Sequence, residues 1–261
     1  MQSADFKYIY GPVPSWRLGS SLGIDLLSQA EKVCSFDCTY CQLGRNDVKG
    51  TTRSLFVRTG DVMKEIDSLP GIHIDYLTLS GRGEPTLALN LGDIIGALKK
   101  IRGEKIAVIT NSSIISRKDV REDLLAADFV IAKLDAATDD VFTAINRPAK
   151  GVRLQSVIQA LVDFRKEFAG RFALQVMFTS ANQGSAREIS DIAGAIGPDE
   201  VQLNTPLRPC MEKPLSADDM GLIKAFFDRQ GLRSVDVYSA EKKKVNSLSG
   251  ADTLRRRGKE A

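Results

Sequence analysis

A regular alternation of short apolar strands and amphipathic helices is the feature that most constrains the fold of this 261-residue chain. Six strands are predicted over residues 20–28, 74–80, 105–110, 129–134, 172–179 and 200–204. Helices are predicted over residues 62–69, 90 or 93 to 101, 117–127, 138–145, 153–168, 186–196 and 217–229, and a short extra strand over 234–238. A β-then-α alternation implies a parallel sheet joined by right-handed crossovers. Because six units fall short of an eight-fold barrel, we expect an α/β fold in the form of an open, partial (β/α)6 TIM-like barrel.

The two ends of the chain differ from this pattern. Residues 6–19 contain two prolines, which bar a helix, and we interpret this stretch as an extended lead-in that covers one end of the barrel. Residues 241–261 hold seven Lys and Arg against three Asp and Glu. We therefore predict a barrel domain over 1–240 and a basic tail over 241–261. Such a tail is either a solvated end or an arm that binds a polyanion.

Composition is ordinary for a soluble globular protein. Hydrophobic residues make up 43% and charged residues 26% of the sequence. We find no run of about 18 apolar residues of the kind that spans a membrane. The first residues lack the basic and apolar segments of a secretory signal. Three of the four cysteines are clustered, which is unlike a disulfide framework. We therefore expect a cytoplasmic protein with no membrane partner.

The three clustered cysteines lie in one short segment directly after the first predicted strand. The segment reads Cys34-Ser35-Phe36-Asp37-Cys38-Thr39-Tyr40-Cys41, a C-x3-C-x2-C pattern. Thiolates are ligands of zinc and of iron–sulfur clusters, and a structural zinc site takes four ligands. The only other cysteine is Cys210 and the only histidine is His73, so no fourth ligand lies nearby. Three ligands and one open position favour a 4Fe–4S cluster; a zinc-stabilised nucleic-acid-binding protein is the alternative.

This segment resembles the cysteine motif of the radical S-adenosylmethionine (radical SAM) superfamily, including the aromatic Tyr40 before the third cysteine. A second motif, Gly81-Arg82-Gly83-Glu84-Pro85-Thr86, follows the second predicted strand. The resemblance implies that this motif binds the amino group of S-adenosylmethionine. The backbone of Gly81 and Gly83 would approach the ligand, and the Glu84 carboxylate would pair with its ammonium group. The alternative is a glycine turn with a helix-capping Glu84.

The resemblance implies a 4Fe–4S cluster held by Cys34, Cys38 and Cys41, with S-adenosylmethionine as the second cofactor. One electron, from a donor such as flavodoxin or ferredoxin, would cleave S-adenosylmethionine to a 5′-deoxyadenosyl radical that abstracts hydrogen from a substrate. Polar residues at the strand ends are further candidates for contacts with the ligands, because barrels place their sites there. These candidates, together with the motif residue Tyr40, are Asn111, Ser112, Lys133, Gln175 and Asn204. For Asn111 and Ser112, the alternative to a ligand contact is a capping role. For Lys133, the alternative is an ion pair near Asp135.

A narrower likeness covers nearly the whole chain. Segments 10–15, 18–25 and 202–206 resemble the group around the tRNA wyosine synthase radical enzymes. Those enzymes use a second cluster bound by cysteines near the N-terminus, and this sequence has no cysteine before Cys34. The likeness thus implies a single-cluster relative, with tRNA as a candidate substrate whose backbone Arg45, Lys49, Arg53 and Arg58 would track. A glycyl-radical-enzyme activase or a peptide-modifying radical SAM enzyme is the alternative.

Overall fold

The computed structural model describes residues 6–241 together with 245, 247, 248, 250, 253 and 254. Over these residues the chain forms one eight-stranded sheet, in which the spatial order of the strands follows the sequence. The strands are β1 (Ile9–Ser15), β2 (Gly19–Ile24), β3 (Tyr76–Leu79), β4 (Lys105–Thr110), β5 (Phe129–Lys133), β6 (Arg171–Met177), β7 (Glu200–Asn204) and β8 (Ser234–Asp236). The α-helices are α1 (Thr59–Asp67), α2 (Leu91–Ile101), α3 (Lys118–Leu125), α4 (Asp139–Asn146), α5 (Leu154–Glu167), α6 (Ala186–Ile196) and α7 (Ala217–Arg229).

Strands β2 to β8 are parallel, and every crossover between them contains at least one helix. This arrangement confirms the predicted partial TIM-like barrel. Strands β4 and β7 begin and end at the predicted residues, and β8 is the predicted short extra strand, two residues shorter than expected. Because the strands are parallel, their carboxyl ends share one edge of the sheet, and the loops that follow them meet there.

The prediction that residues 6–19 are extended is confirmed for Ile9–Ser15, but these residues lie in the sheet rather than over one end of the barrel. They form β1, which pairs antiparallel with β2 at the edge of the sheet. Pro12 and Pro14 each lack a backbone N–H, and an edge strand tolerates them because one of its sides needs no ladder donors. The pairing register shifts between Tyr10 and Val13, around the first of these prolines.

Alternate residues of the parallel strands face two different buried layers. In β5, Val130 belongs to the main core between the sheet and the helices. Its neighbours Phe129 and Ile131 belong to a small apolar cluster on the inner face of the sheet. By the same alternation, Lys133 and Gln175 lie on the inner face nearer the carboxyl edge. The inner face is therefore apolar towards its amino end and polar towards its carboxyl end.

Two helix starts show how local side chains set the boundaries. Helix α1 begins at Thr59 with Arg58 as its N-cap, three residues before the predicted start at residue 62. Asp61 lies in the first turn, where its charge favours the positive end of the helix dipole. Helix α7 begins as predicted, at a capping box in which Ser216 and Asp219 accept hydrogen bonds from each other's backbone N–H groups.

The basic residues of the predicted tail lie outside the described residues. They are Lys242, Lys243, Lys244, Arg255, Arg256, Arg257 and Lys259. The division into 1–240 and 241–261 therefore stays a prediction. Leu248, which is described, donates its backbone N–H to Gly11 O at 2.7 Å. Every described helix is too short or too polar to serve as a transmembrane segment.

Candidate active site

The cysteine segment forms a loop between β2 and α1 that lies against α4. Thr39 N donates to Ile145 O at 2.9 Å, at the C-terminal end of α4. The Phe36 ring meets the Phe142 ring edge-on, with centroids 5.4 Å apart. These contacts fix the loop at the carboxyl edge of the sheet, where parallel barrels place their catalytic groups.

The three thiols of this loop are free and half-buried, and N–H groups reach two of them. Cys34 Sγ accepts hydrogen bonds from Phe36 N at 3.4 Å and from Asn111 Nδ2 at 3.5 Å. Cys38 Sγ accepts one from Asn146 Nδ2 at 3.5 Å. Two of the three predicted ligand sulfurs therefore each have the carboxamide of a different asparagine beside them.

Desolvation opposes the ionisation of the Cys34 and Cys38 thiols. It raises the pKa of Cys38 to about 11, and the nearby Asp135 carboxylate adds to the effect. Desolvation and then the charge of Glu84 raise the pKa of Cys34 as well. In the described part of the chain, no group of three or more His, Cys, Asp or Glu side chains is arranged to hold a metal ion.

Lys32 is a buried cation beside the same loop. Its side chain is 6% exposed, and Nζ donates to Gly44 O at 3.1 Å. Burial by itself lowers the pKa of Lys32, but the charges of Cys41 and Cys34 outweigh it and raise that pKa overall. A positive charge at this position favours negative charge on the sulfurs.

Gly81 and Gly83 are required as glycines by packing within the protein. Their φ angles are 152° and 154°, a region that residues with a Cβ rarely adopt. A Cβ on Gly83 would lie 1.6 Å from Val33 O, and one on Gly81 would lie 2.4 Å from Asp25 Cγ. The free space at Gly83 lets Glu84 N donate to Val33 O at 2.9 Å. The loop formed by residues 81–86, called the glycine loop below, is thereby joined to the residues that lead into the cysteine loop.

The Glu84 carboxylate is 2% exposed and accepts four hydrogen bonds. Oε1 accepts from Thr86 N at 3.1 Å, Thr86 Oγ1 at 2.7 Å and Thr110 Oγ1 at 2.7 Å. Oε2 accepts from Asn111 N at 2.6 Å. Burial raises the pKa of Glu84 despite these bonds. Glu84 therefore caps the short 3₁₀ turn Pro85–Leu87 and ties the glycine loop to the end of β4, as the capping alternative requires.

Tyr40 connects the cysteine loop to the ends of β5 and β6. Its hydroxyl donates a hydrogen bond to Asp135 Oδ2, and Met177 N donates to Asp135 Oδ1 at 2.8 Å. Lys133 Nζ lies 3.6 Å from Asp135 Oδ1 and 4.8 Å from the centroid of the Tyr40 ring. The structure thus shows the ion pair that was one of the two interpretations of Lys133. Burial, followed by the charge of Asp135, raises the pKa of Tyr40 well above its usual value.

The other candidates lie at the same edge but make local contacts. Ser112 has a φ of 68° and donates from Oγ to Lys133 O at 3.3 Å. Asn204 Oδ1 accepts from Thr205 N at 3.0 Å. Gln175 is 5% exposed on the inner face of β6. Contact of these three residues with a ligand stays a prediction.

Two other residues that the sequence singles out, Arg53 and Cys210, make different contacts. The Arg53 side chain is 3% exposed, pairs with Asp119 at 2.9 Å and donates to Ala88 O at 2.8 Å. The prediction that Arg53 contacts a phosphate backbone is therefore wrong, because its guanidinium is buried in contacts between protein segments. Cys210 Sγ donates to Glu212 O at 3.3 Å, a contact that any thiol there would make.

Asn146 and Lys32 contact the cysteine loop although the sequence analysis did not identify them. Asn146 is the last residue of α4 and precedes Arg147, which ends the helix in the left-handed conformation. Lys32 precedes Cys34 by two residues, and this proximity was the one signal in the sequence that a charge lies near the thiols. No sequence pattern indicates the contact of Asn146 with Cys38, because that contact depends on the packing of α4.

The comparison with protein families identifies the class of protein. The Radical SAM superfamily model matches residues 32–182, a range that includes both the cysteine and the glycine loops. The chain belongs to this superfamily and is a radical SAM enzyme, which implies S-adenosylmethionine and an iron–sulfur cluster as its cofactors. It is similar to a UPF0026 protein of Synechocystis sp., with 40% identity over 214 residues that cover 82% of this chain and 79% of the relative.

Solved structures share the fold at low identity. A radical SAM methyltransferase from Sphaerobacter thermophilus has a TM-score of 0.62 and 14% identity over 83% of this chain and 65% of that protein. Streptococcus suis SuiB, bound to the precursor peptide SuiA, has a TM-score of 0.63 and 13% identity over 85% of this chain and 50% of that protein. This chain therefore spans only half to two thirds of these two proteins, and the likeness shows the fold alone.

The side chains of the cysteine loop and its neighbours are of the chemical types that bind an iron–sulfur cofactor. Three free thiols share one loop, N–H donors reach two of the sulfurs, and the Lys32 cation lies near the third. Iron–sulfur clusters are held by thiolates and tuned by hydrogen bonds to sulfur. Cys34, Cys38 and Cys41 are therefore the residues that would hold the cluster.

Proposed function

We propose that Cys34, Cys38 and Cys41 hold a 4Fe–4S cluster and that the enzyme cleaves S-adenosylmethionine reductively. The observation that carries this proposal is the placement of three free thiols on one loop at the carboxyl edge of a radical SAM barrel. When bound, the cluster would supply the electron that breaks the sulfonium C–S bond, giving methionine and a 5′-deoxyadenosyl radical that abstracts hydrogen from the substrate. An electron donor such as flavodoxin or ferredoxin would provide that electron.

The glycine loop would bind the amino group of S-adenosylmethionine. Its contact with Val33 fixes the backbone of Gly81 and Gly83 beside the cysteine loop. Glu84 Oε2 accepts one hydrogen bond from the described residues, and a carboxylate oxygen has a second lone pair that an ammonium group would use. These two features support the proposal without removing the capping role of Glu84.

Polar residues along the carboxyl edge would bind the rest of the ligand. Asn111 and Ser112 directly follow β4, and Lys133, Gln175 and Asn204 belong to the next three strands. They are donors and acceptors suited to the carboxylate, ribose and adenine groups. The apolar inner cluster beneath them would keep water away from this end of the lumen.

Metal analysis of protein purified without oxygen tests the cluster assignment. We expect a brown protein that contains iron and acid-labile sulfide. A colourless protein that contains zinc would instead support the zinc-stabilised nucleic-acid-binding alternative.

For the substrate, we propose tRNA. Arg45 and Arg58 are exposed and Lys49 is half-buried on the segment that follows the cysteine loop. Basic side chains on such a segment would contact phosphates near the site. Only three of the four basic residues named from the sequence support tRNA binding, because the Arg53 side chain is buried and paired with Asp119.

Filter binding of tRNA at two salt concentrations tests this substrate. Binding should weaken steeply with salt, because each neutralised phosphate releases counterions. A variant with alanine at residues 45, 49 and 58 should bind more weakly with a shallower salt dependence, and deletion of 241–261 should act in the same direction. If the intact holo-protein does not bind tRNA at low salt, the peptide-modifying or glycyl-radical-activating alternative takes its place.

A further inference from the structure

We propose that Asn146 and Asn111 are positioning residues for the cluster ligands. Each donates a carboxamide N–H to one cysteine sulfur, Asn146 to Cys38 and Asn111 to Cys34. Through these bonds they would orient the two thiolates and raise the reduction potential of the cluster. The inference rests on the proposed function, because it concerns the cluster that these cysteines would hold.

The contacts of Asn146 orient its amide nitrogen towards the sulfur. Its side chain is 1% exposed, and Nδ2 lies 2.8 Å from Asp135 Oδ2, 3.1 Å from the Tyr40 hydroxyl and 3.5 Å from Cys38 Sγ. The opposite orientation of the amide would place two oxygens against each other at Asp135. Oδ1 is buried and accepts no hydrogen bond from the described residues. The structure thus leaves an acceptor unsatisfied while the donor faces the carboxylate and the sulfur.

Asn111 is fixed by a different set of contacts. Its backbone N–H donates to Glu84 Oε2 at 2.6 Å, and its Oδ1 accepts from Ser113 N at 2.9 Å. With Oδ1 engaged, Nδ2 is directed to Ser35 Oγ at 2.9 Å and Cys34 Sγ at 3.5 Å. The carboxamide therefore cannot rotate away from the sulfur without losing the contact with Ser113.

Hydrogen bonds to sulfur act on the charge of a cluster. Reduction adds one negative charge, part of which resides on the sulfurs, and an N–H donor stabilises that charge. The donor therefore stabilises the reduced form more than the oxidised form, and the potential rises.

A redox titration of the reconstituted protein, followed by electron paramagnetic resonance, tests the inference. Asn146→Leu and Asn111→Leu each remove one donor, and we expect a more negative midpoint potential in each and a larger shift in the double variant. Asn90→Leu is the matched control. Asn90 is 5% exposed and donates to Val57 O at 3.0 Å and Thr59 Oγ1 at 2.9 Å, so its loss should lower Tm but leave the potential unchanged.

The outcomes separate the inference from the proposed function. Wild-type potentials in both variants, with Tm lowered as in Asn90→Leu, would show that the two asparagines have only a structural role and would overturn the inference. If the leucine variants do not fold, Asn146→Ala and Asn111→Ala remove the same donors without a larger apolar side chain. A wild-type protein that takes up no iron would overturn the proposed function, and the inference with it.

Discussion

Replacement of Glu84 should destabilise the protein even in the absence of any ligand. Glu84→Ala removes the acceptor of two buried backbone N–H groups, those of Thr86 and Asn111, and of two hydroxyls. Each buried donor left unsatisfied costs about 1–3 kcal/mol. The variant also no longer has to bury a carboxylate, whose pKa burial already raises. We therefore expect the free energy of unfolding to fall by about 2–4 kcal/mol, in the lower part of the range of about 2–6 kcal/mol for two buried backbone N–H groups left unsatisfied.

Urea unfolding of the apo-protein, followed by circular dichroism, measures this effect. Glu84→Gln keeps one acceptor oxygen and should lose about 1–3 kcal/mol, because its amide would face the Asn111 N–H. Glu122→Ala is the control, since Glu122 is 61% exposed and its pair with Lys118 should contribute about 0–1 kcal/mol. A Glu84→Ala variant as stable as wild type would refute the role of Glu84 in joining the glycine loop to the end of β4. Glu84 would then be a ligand contact only.

Three further predictions follow from other contacts. Gly83→Ala should unfold at a lower temperature and bind less iron, because its Cβ would meet Val33 O and separate the two loops. Arg53→Met should lower the free energy of unfolding by about 1–3 kcal/mol in a urea titration, because it leaves the Ala88 carbonyl without its donor and removes the pair with the partly exposed Asp119. Hydrogen bonds from Arg117, opposed by burial and reinforced by Arg53, lower the pKa of Asp119 to about 2. Asp119 therefore contributes stability above its unfolded pKa, and this contribution is lost as pH falls through about 2.

Controls for these predictions come from the same chain. Gly60→Ala adds a Cβ with no heavy atom within 4 Å and should preserve both stability and iron content. If Gly83→Ala behaves like Gly60→Ala, the packing argument fails. For the pH effect, the difference in Tm between wild type and Asp119→Asn should shrink from pH 4 to pH 2. A difference that stays constant over that range would contradict the cause assigned to the lowered pKa.

The sequence predicted the fold well because the central parallel strands, such as β5 and β7, are buried on both faces. Strand β5 carries an uninterrupted apolar run from Phe129 to Ala132, and its helix neighbours have clear periodicity. The pairing of residues 9–15 with the sheet was not predicted, because Pro12 and Pro14 exclude a helix but leave open an edge strand or an unpaired extended segment. Whether such a segment pairs with the sheet depends on the neighbour that it finds, which local sequence does not specify.

The site was predicted less completely, because several of its contacts join distant parts of the chain. Asn146 lies 108 residues from Cys38, and Asn111 lies 77 residues from Cys34. Arg53 illustrates the opposite error. It belongs to a basic stretch, yet the fold buries it against α3. Charge and spacing identify the residue types available to a site, whereas burial decides which of them face it.

The formation of 5′-deoxyadenosine from S-adenosylmethionine is the most direct test of the central claim. The reconstituted protein is incubated anaerobically with S-adenosylmethionine and dithionite, and the product is measured by chromatography with mass spectrometry. We predict 5′-deoxyadenosine and bound iron for wild type and Cys210→Ala, and neither for Cys34→Ala, Cys38→Ala or Cys41→Ala. Wild-type iron and product in any of these three variants, or loss of iron in Cys210→Ala, would contradict a cluster held by the three cysteines of the loop.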